Sequence, residues 1–191
     1  AAVTNRSNGK ADPDATASRG QLCLAALAGQ NAVEAAAKAR ECVRRRTYNP
    51  FSLLIADPAS AWLVSDSVAY HMAELTPGWH VLGNRELNDP DDPRIQRALT
   101  FLPETPVRQG FAERVRNRLM SLCRDHGSSA DGGRNAHAIC VHGETAGTRS
   151  STILAVTTGG GVHAFLHIEG HPCEKRYRPL QVPWQATTQK G

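Results

Sequence analysis

The segment Pro50-Phe51-Ser52-Leu53-Leu54-Ile55-Ala56 constrains the chain more than any other. Its apolar residues fall on both faces of an extended backbone, so it reads as a central strand covered above and below. Asp57-Pro58-Ala59-Ser60 follows as a turn, and Ala61-Trp62-Leu63-Val64 pairs back as a hairpin. A further short strand runs from about Ala69 to Leu75.

Helices and a second set of strands surround this hairpin. Ala1 to Asn5 reads as the tail of a strand, and residues 6–17 are polar and loop-like. Ser18 is placed to cap a helix through about Ala28. Gly29 breaks that helix, and Asn31 caps a second one through about Arg46, with Val33, Ala36, Ala37 and Val43 on one face. Thr76-Pro77-Gly78 has the residues of a type II turn, and Trp79 to Leu82 then leads into Gly83-Asn84. The stretch Asp89-Pro90-Asp91-Asp92-Pro93 is a capped helix start, because carboxylates favour a helix N-terminus. That helix runs through Leu102, and another spans about Arg108 to Asp125, before a Gly/Ser-rich loop at 127–135. Ala136 to Val141, Ser151 to Val156 and Val162 to Ile168 read as antiparallel strands, with Lys175 to Val182 as an edge. Helix pairs alternating with antiparallel strands predict an α+β fold whose sheets carry helices on their outer faces.

At 191 residues the chain has the length of one domain. It has no apolar run long enough to span a bilayer and no basic-then-apolar leader. The net charge of +4 comes with 18 Arg and only 4 Lys. The one basic cluster, Arg44-Arg45-Arg46, ends a predicted helix, where cations complement the last carbonyls. Aromatic residues make up only 5% of the chain, too few to interleave with it as a nucleic-acid platform. The five cysteines (Cys23, Cys42, Cys123, Cys140 and Cys173) form no CxxC pair and read as small buried hydrophobes. His163 and His167 share a face of a predicted strand but lie about 13 Å apart along it, too far for one metal ion. No metal site and no cofactor are expected, since no HExxH, Cys/His finger spacing, CxxCH, GxGxxG or Walker A motif occurs.

Three polar spots sit at ends of predicted strands: Thr4-Asn5, Gly83-Asn84 and Gly147-Thr148-Arg149-Ser150-Ser151-Thr152. An Asn amide at a strand end can donate to an oxyanion. An Arg ahead of a strand can orient a carboxylate or a nucleophile. Taken singly, each Asn is an ordinary turn residue and Gly147-Thr148 a hairpin entry.

Taken in order, these segments resemble the NRDE family, also called the TANGO2 (transport and Golgi organisation 2) family. The resemblance rests on Ala2-Val3-Thr4-Asn5, Ser18-Arg19-Gly20-Gln21-Leu22 and Tyr48-Asn49-Pro50-Phe51-Ser52-Leu53-Leu54-Ile55-Ala56-Asp57. It continues through Leu75-Thr76-Pro77-Gly78, Val81-Leu82-Gly83-Asn84, Ile139-Cys140-Val141-His142 and Gly147-Thr148-Arg149-Ser150-Ser151-Thr152-Ile153.

The resemblance implies a four-layer αββα fold of the N-terminal-nucleophile (Ntn) hydrolase type, with two antiparallel sheets between helix pairs. It implies a Cys behind the initiator Met as nucleophile, with its own α-amino group as base. Asn5 and Asn84 then match the oxyanion-side asparagines and Arg149 the residue that supports the nucleophile, with Thr148, Ser150 and His142 beside the substrate. The chain departs from the family by opening on Ala1 and by lacking both Met-Cys and the Asn-Arg-Asp-Glu motif. The expectation is therefore a single domain, 1–191, that lacks roughly sixty to seventy leading residues. Alone it should be inactive and should expose a sheet edge. The complete protein is expected to be a cytoplasmic hydrolase of amide or related acyl bonds, acting on a small acyl or lipid-like ligand. The alternative is a non-enzymatic carrier for a lipid or a haem-like ligand, for which His142, His163, His167 and His171 are the imidazoles available.

Overall fold

The computed structural model describes residues 1–7, 13–66, 69–102, 111–127 and 137–181. They fall into two compact units, Ala1–Asp89 and Pro90–Gly191. Together these hold two antiparallel sheets and four helices, an α+β fold.

In the first unit, β1 (Ala2–Asn5), α1 (Arg19–Leu27) and α2 (Ala32–Arg45) precede β2 (Phe51–Ala56), β3 (Ala61–Asp66) and β4 (Tyr70–Glu74). The strands pair antiparallel in the order β1-β2-β3-β4. β2 is central, as its two-faced apolar pattern requires: Phe51, Ser52 and Leu53 are all fully buried. Register sets the two faces. Val3, Leu53 and Val64 lie side by side, and so do Thr4, Ser52 and Ser65. The first face packs with Leu22, Ala26, Ala36 and Ala39 into the core. The second carries buried hydroxyls at Ser52 and Ser65.

The buried stripe of α2 is Ala32, Ala35, Ala36 and Ala39. Val33 and Ala37, expected on that face, are exposed instead. The reason lies at the hairpin. A Cβ on Gly29 would stand 2.6 Å from the Ala35 nitrogen, so the backbones pass in contact and only small residues fit there. Asn31 caps α2 as expected, its side chain accepting from Glu34 N at 2.9 Å. Ser18 holds the corresponding position at α1 but makes no side-chain cap hydrogen bond. Asp57, in the β2–β3 turn, accepts from Ala32 N at 2.6 Å, Ala59 N at 2.7 Å and Ser60 N at 2.8 Å. One carboxylate thus shapes the turn and docks it on the positive end of α2.

The second unit contains α3 (Pro93–Phe101), α4 (Phe111–Cys123), β5 (Ser150–Val156), β6 (Val162–Glu169) and the two-residue β7 (Arg178–Pro179). Its sheet is antiparallel in the order β5-β6-β7. Asp92 caps α3, accepting from Arg94 N and Ile95 N, with Pro93 at the first turn. Arg97 on α3 grips Asp125, just beyond α4, with two hydrogen bonds of 3.0 and 2.7 Å.

Two expected strands are corrected. Residues 137–141 form no strand, because Ile139 N and Cys140 N both donate to the Asp125 carbonyl and leave no ladder to make. Ala136 and most of the 127–135 loop lie outside the described residues, as do Arg108 and Val182. The expected edge from Lys175 contracts to Arg178–Pro179, because the Pro172 and Lys175 carbonyls are held by Arg124. Trp79 to Leu82 makes only a single bridge, Leu82 with Leu87. No helix among the described residues is long and apolar enough to cross a membrane.

Phe51→Ala should cost about 3–5 kcal/mol in urea unfolding, the range for emptying a fully buried aromatic site. Asp57 should leave an acid signature. Its backbone donors, Ala32 first, hold the carboxyl below the ordinary range. Its contribution is then complete above the unfolded value of about 3.9 and is lost as pH falls through the lower folded value. Asp57→Asn should flatten that limb of a stability-against-pH curve.

Candidate functional site

The sequence-marked residues fall into two neighbourhoods, one in each unit. In the first, the end of β1 is clasped to residues 83–84. Thr4 Oγ1 donates to the Gly83 carbonyl at 3.1 Å. Ser7 donates to the Asn84 carbonyl from its backbone N at 2.8 Å and from Oγ at 3.1 Å. Asn5 and Asn84, far apart in sequence, therefore lie on clasped segments. Both are exposed. Asn5 stands opposite Phe51 in the register, so strand alternation puts it on the face of β1 opposite Thr4.

The 81–88 loop that carries Asn84 is closed by Asn88. Its backbone N donates to the Val81 carbonyl at 2.9 Å, and its Oδ1 accepts from Val81 N at 2.7 Å. Asn88 has φ 54°, a left-handed conformation that Asn tolerates better than most residues.

Arg6 was not singled out by sequence, yet its side chain is only 1% exposed. It donates to Ser52 Oγ at 3.3 Å on the hydroxyl-bearing face of β2, and it pairs with Glu86 of the Asn84 loop. Burial lowers its pKa, but a guanidinium stays charged. Its only sequence signal was a cation directly after a strand.

The second neighbourhood gathers three segments at the end of α4. The Asp125 carbonyl accepts from Ile139 N at 3.0 Å and Cys140 N at 2.8 Å. Arg97 holds the Asp125 carboxyl below the usual range. Arg124 donates to the Pro172 carbonyl at 2.9 Å and the Lys175 carbonyl at 3.3 Å, and its guanidinium lies 5.6 Å from the Tyr177 ring centre. Tyr177 shares a 2.6 Å hydrogen bond with Ser151, and burial pushes its hydroxyl up to about 12.

Within this frame Thr148 Oγ1 accepts from Val141 N at 3.0 Å and donates to the Ile139 carbonyl at 3.3 Å. Gly147 is required beside it, since a Cβ there would stand 2.8 Å from the Val141 carbonyl oxygen. Arg149 is exposed, and its carbonyl accepts from Gly170 N at 2.7 Å. Ser150, also exposed, pairs with Glu169 in the register.

His142 stacks on His171, with ring centres 3.8 Å apart. Its Nε2 lies 3.1 Å from Cys173 Sγ and 3.7 Å from Cys140 Sγ. The two sulfurs are 3.7 Å apart, and both cysteines are free thiols. Burial pushes the Cys140 thiol up. His126 completes the group: one ligand atom from each of His126, Cys140, His142 and Cys173 lies within 4.8 Å of the others. The sequence pattern places Cys140 on a strand as a small hydrophobe. It is indeed buried, but in a loop and beside a second thiol. His167 is engaged elsewhere, with Nδ1 2.9 Å from Thr152 Oγ1.

Both neighbourhoods include segments that carried the resemblance, and the chain matches the family described as Transport and Golgi organisation 2 over residues 1–167. It belongs to the TANGO2 family. The matched span includes Asn5, Asn84, Cys140, His142 and Thr148 to Ser150, whereas His171 and Cys173 lie beyond it. No curated protein matches the chain. The Gly147-Thr148-Arg149-Ser150 segment thus has a visible structural duty, with Gly147 and Thr148 pinning the Ile139–Val141 backbone.

Thr148→Val keeps the shape and deletes both hydroxyl hydrogen bonds. It should cost about 1–3 kcal/mol, because Val141 N and the Ile139 carbonyl lose a half-buried partner. Thr148→Ser should recover most of that in the same denaturant titration.

Proposed function

We propose that this TANGO2-family chain carries the substrate-side frame of a cytoplasmic Ntn-type hydrolase that cleaves amide or related acyl bonds. The supporting observation is the clasp between β1 and the 83–84 segment, which joins the backbones that carry the two resemblance-marked asparagines. The chemistry follows from the residue types. An N-terminal Cys thiol, deprotonated by its own α-amino group, attacks the acyl carbonyl. The side-chain amides of Asn5 and Asn84 donate to the oxyanion that forms. Collapse of the tetrahedral intermediate expels the amine, which takes a proton from the ammonium group. Water then releases the acid from the thioester.

The test uses the complete reading frame. Intact mass and terminal sequencing should show a bare Cys once Met is removed, and a panel of N-acyl amides should yield a substrate. Asn84→Ala should then lower kcat by about 10²–10³-fold, the usual effect of deleting one oxyanion donor, with KM little changed. Residues 1–191 alone should show no turnover. A different terminal residue, or turnover indifferent to Asn84→Ala, would overturn the reading. Tight binding of an acyl or haem-like ligand without turnover would put a carrier in its place.

A further inference from the structure

We propose that His126, Cys140, His142 and Cys173 form a structural zinc site. The donor set is two sulfurs and two imidazole nitrogens, the chemistry that selects a borderline-soft ion in tetrahedral geometry. With Zn–S of about 2.3 Å and Zn–N of about 2.0–2.1 Å, a tetrahedron needs roughly 3.8 Å between sulfurs and roughly 3.6 Å between sulfur and nitrogen. The Cys140–Cys173 sulfurs are 3.7 Å apart, and His142 Nε2 lies 3.7 and 3.1 Å from them. The four ligand atoms fall within 4.8 Å of one another. Small side-chain movements bring them onto one ion.

The surroundings of the rings agree. His126 Nδ1 lies 3.1 Å from the Cys140 carbonyl oxygen, so it carries the proton and Nε2 is left with the lone pair. Glu174 Oε1 stands 3.7 Å from His142 Nδ1, again on the side away from the sulfurs. A ligating histidine whose other nitrogen faces a carbonyl or a carboxylate is the usual outer arrangement of a zinc centre.

The backbone is positioned before any ion arrives. His126 follows Asp125, whose carbonyl binds Cys140 N, and Arg124 holds the carbonyl of Pro172, next to Cys173. Binding releases the two thiol protons, and the two thiolates balance the charge of the ion. Four protein ligands leave no open position, so the site is structural rather than catalytic. His142 then serves the ion and not the substrate. The ligand spacing, His126 to Cys140 to His142 to Cys173, matches no finger pattern, because three separate segments supply it.

The experiment uses the full chain, reduced, stripped with a chelator and titrated with Zn²⁺ against a chromophoric competitor. One equivalent should bind. Co²⁺ in its place should show a thiolate-to-metal charge-transfer band and the strong visible bands of a tetrahedral ion. Cys173→Ser and His126→Ala should each weaken Zn²⁺ by more than the ~10–100-fold that loss of an outer partner costs. Cys42→Ser, in the other unit, should leave affinity unchanged. Glu174→Gln, an exposed change that spares the fold, should weaken Zn²⁺ modestly. Absence of one-equivalent binding by the reduced wild type would overturn the proposal. So would a Co²⁺ spectrum without thiolate bands, or affinity unchanged in both ligand variants. A Cys140–Cys173 disulfide, with no metal bound after reduction, would assign the pair to redox chemistry instead.

Discussion

A single backbone carbonyl, that of Asp125, organises the part of the second unit that has no regular structure. Residues 137–149 form neither helix nor strand, yet their polar backbone groups still need partners. Two amides, of Ile139 and Cys140, converge on that oxygen. The Asp125 side chain is fixed in turn by Arg97 from α3, and it also accepts from Gly127 N at 3.0 Å. Arg124, one residue earlier, performs the matching task for the carbonyls of Pro172 and Lys175. Adjacent residues at the end of α4 thus capture two distant segments. His126 is the next residue in line, which is why it arrives beside Cys140, His142 and Cys173.

The first unit uses the same device with different chemistry. β2 is buried on both faces, and on one of them aliphatic residues meet the small side chains of α1 and α2. The other face carries hydroxyls, and the buried cation of Arg6 lies on Ser52 and reaches Glu86. A buried guanidinium is costly unless it is paired and hydrogen-bonded, so Arg6 constrains where the loop bearing Asn84 can sit. Asn88 then closes that loop on Val81. In the first unit a charged side chain just after a strand fixes the loop that carries Asn84, and in the second a backbone carbonyl just after a helix fixes the loop that carries Cys140 and His142.

What was legible in the sequence was local. The two-faced apolar run at 51–56 identified the central strand, and Asn31 announced the start of α2 through a cap that needs only its own first turn. The antiparallel pair at β5 and β6 followed from alternation and a Gly-rich turn. What was illegible depended on partners far along the chain. Ile139-Cys140-Val141 has the apolar content of a strand, but its donors go to Asp125 and to Thr148, and neither choice leaves a mark in a window of a few residues. Val33 looked like core on α2, and the close pass at Gly29 turned Ala35 inward instead. The Cys/His group was hidden for the same reason, since its members lie on three segments that meet at the end of α4. Asn5 and Asn84 could be marked by motif, but their shared neighbourhood rests on Thr4 and Ser7.

The most direct test of this account is amide hydrogen exchange at Ile139 and Cys140. If the Asp125 carbonyl holds them, both amides exchange as slowly as the paired amides of β6, although neither lies in a strand. If they exchange as fast as those of Glu144 and Thr145 in the adjoining loop, the Asp125 clasp does not form, and the convergence of His126, Cys140, His142 and Cys173 fails with it.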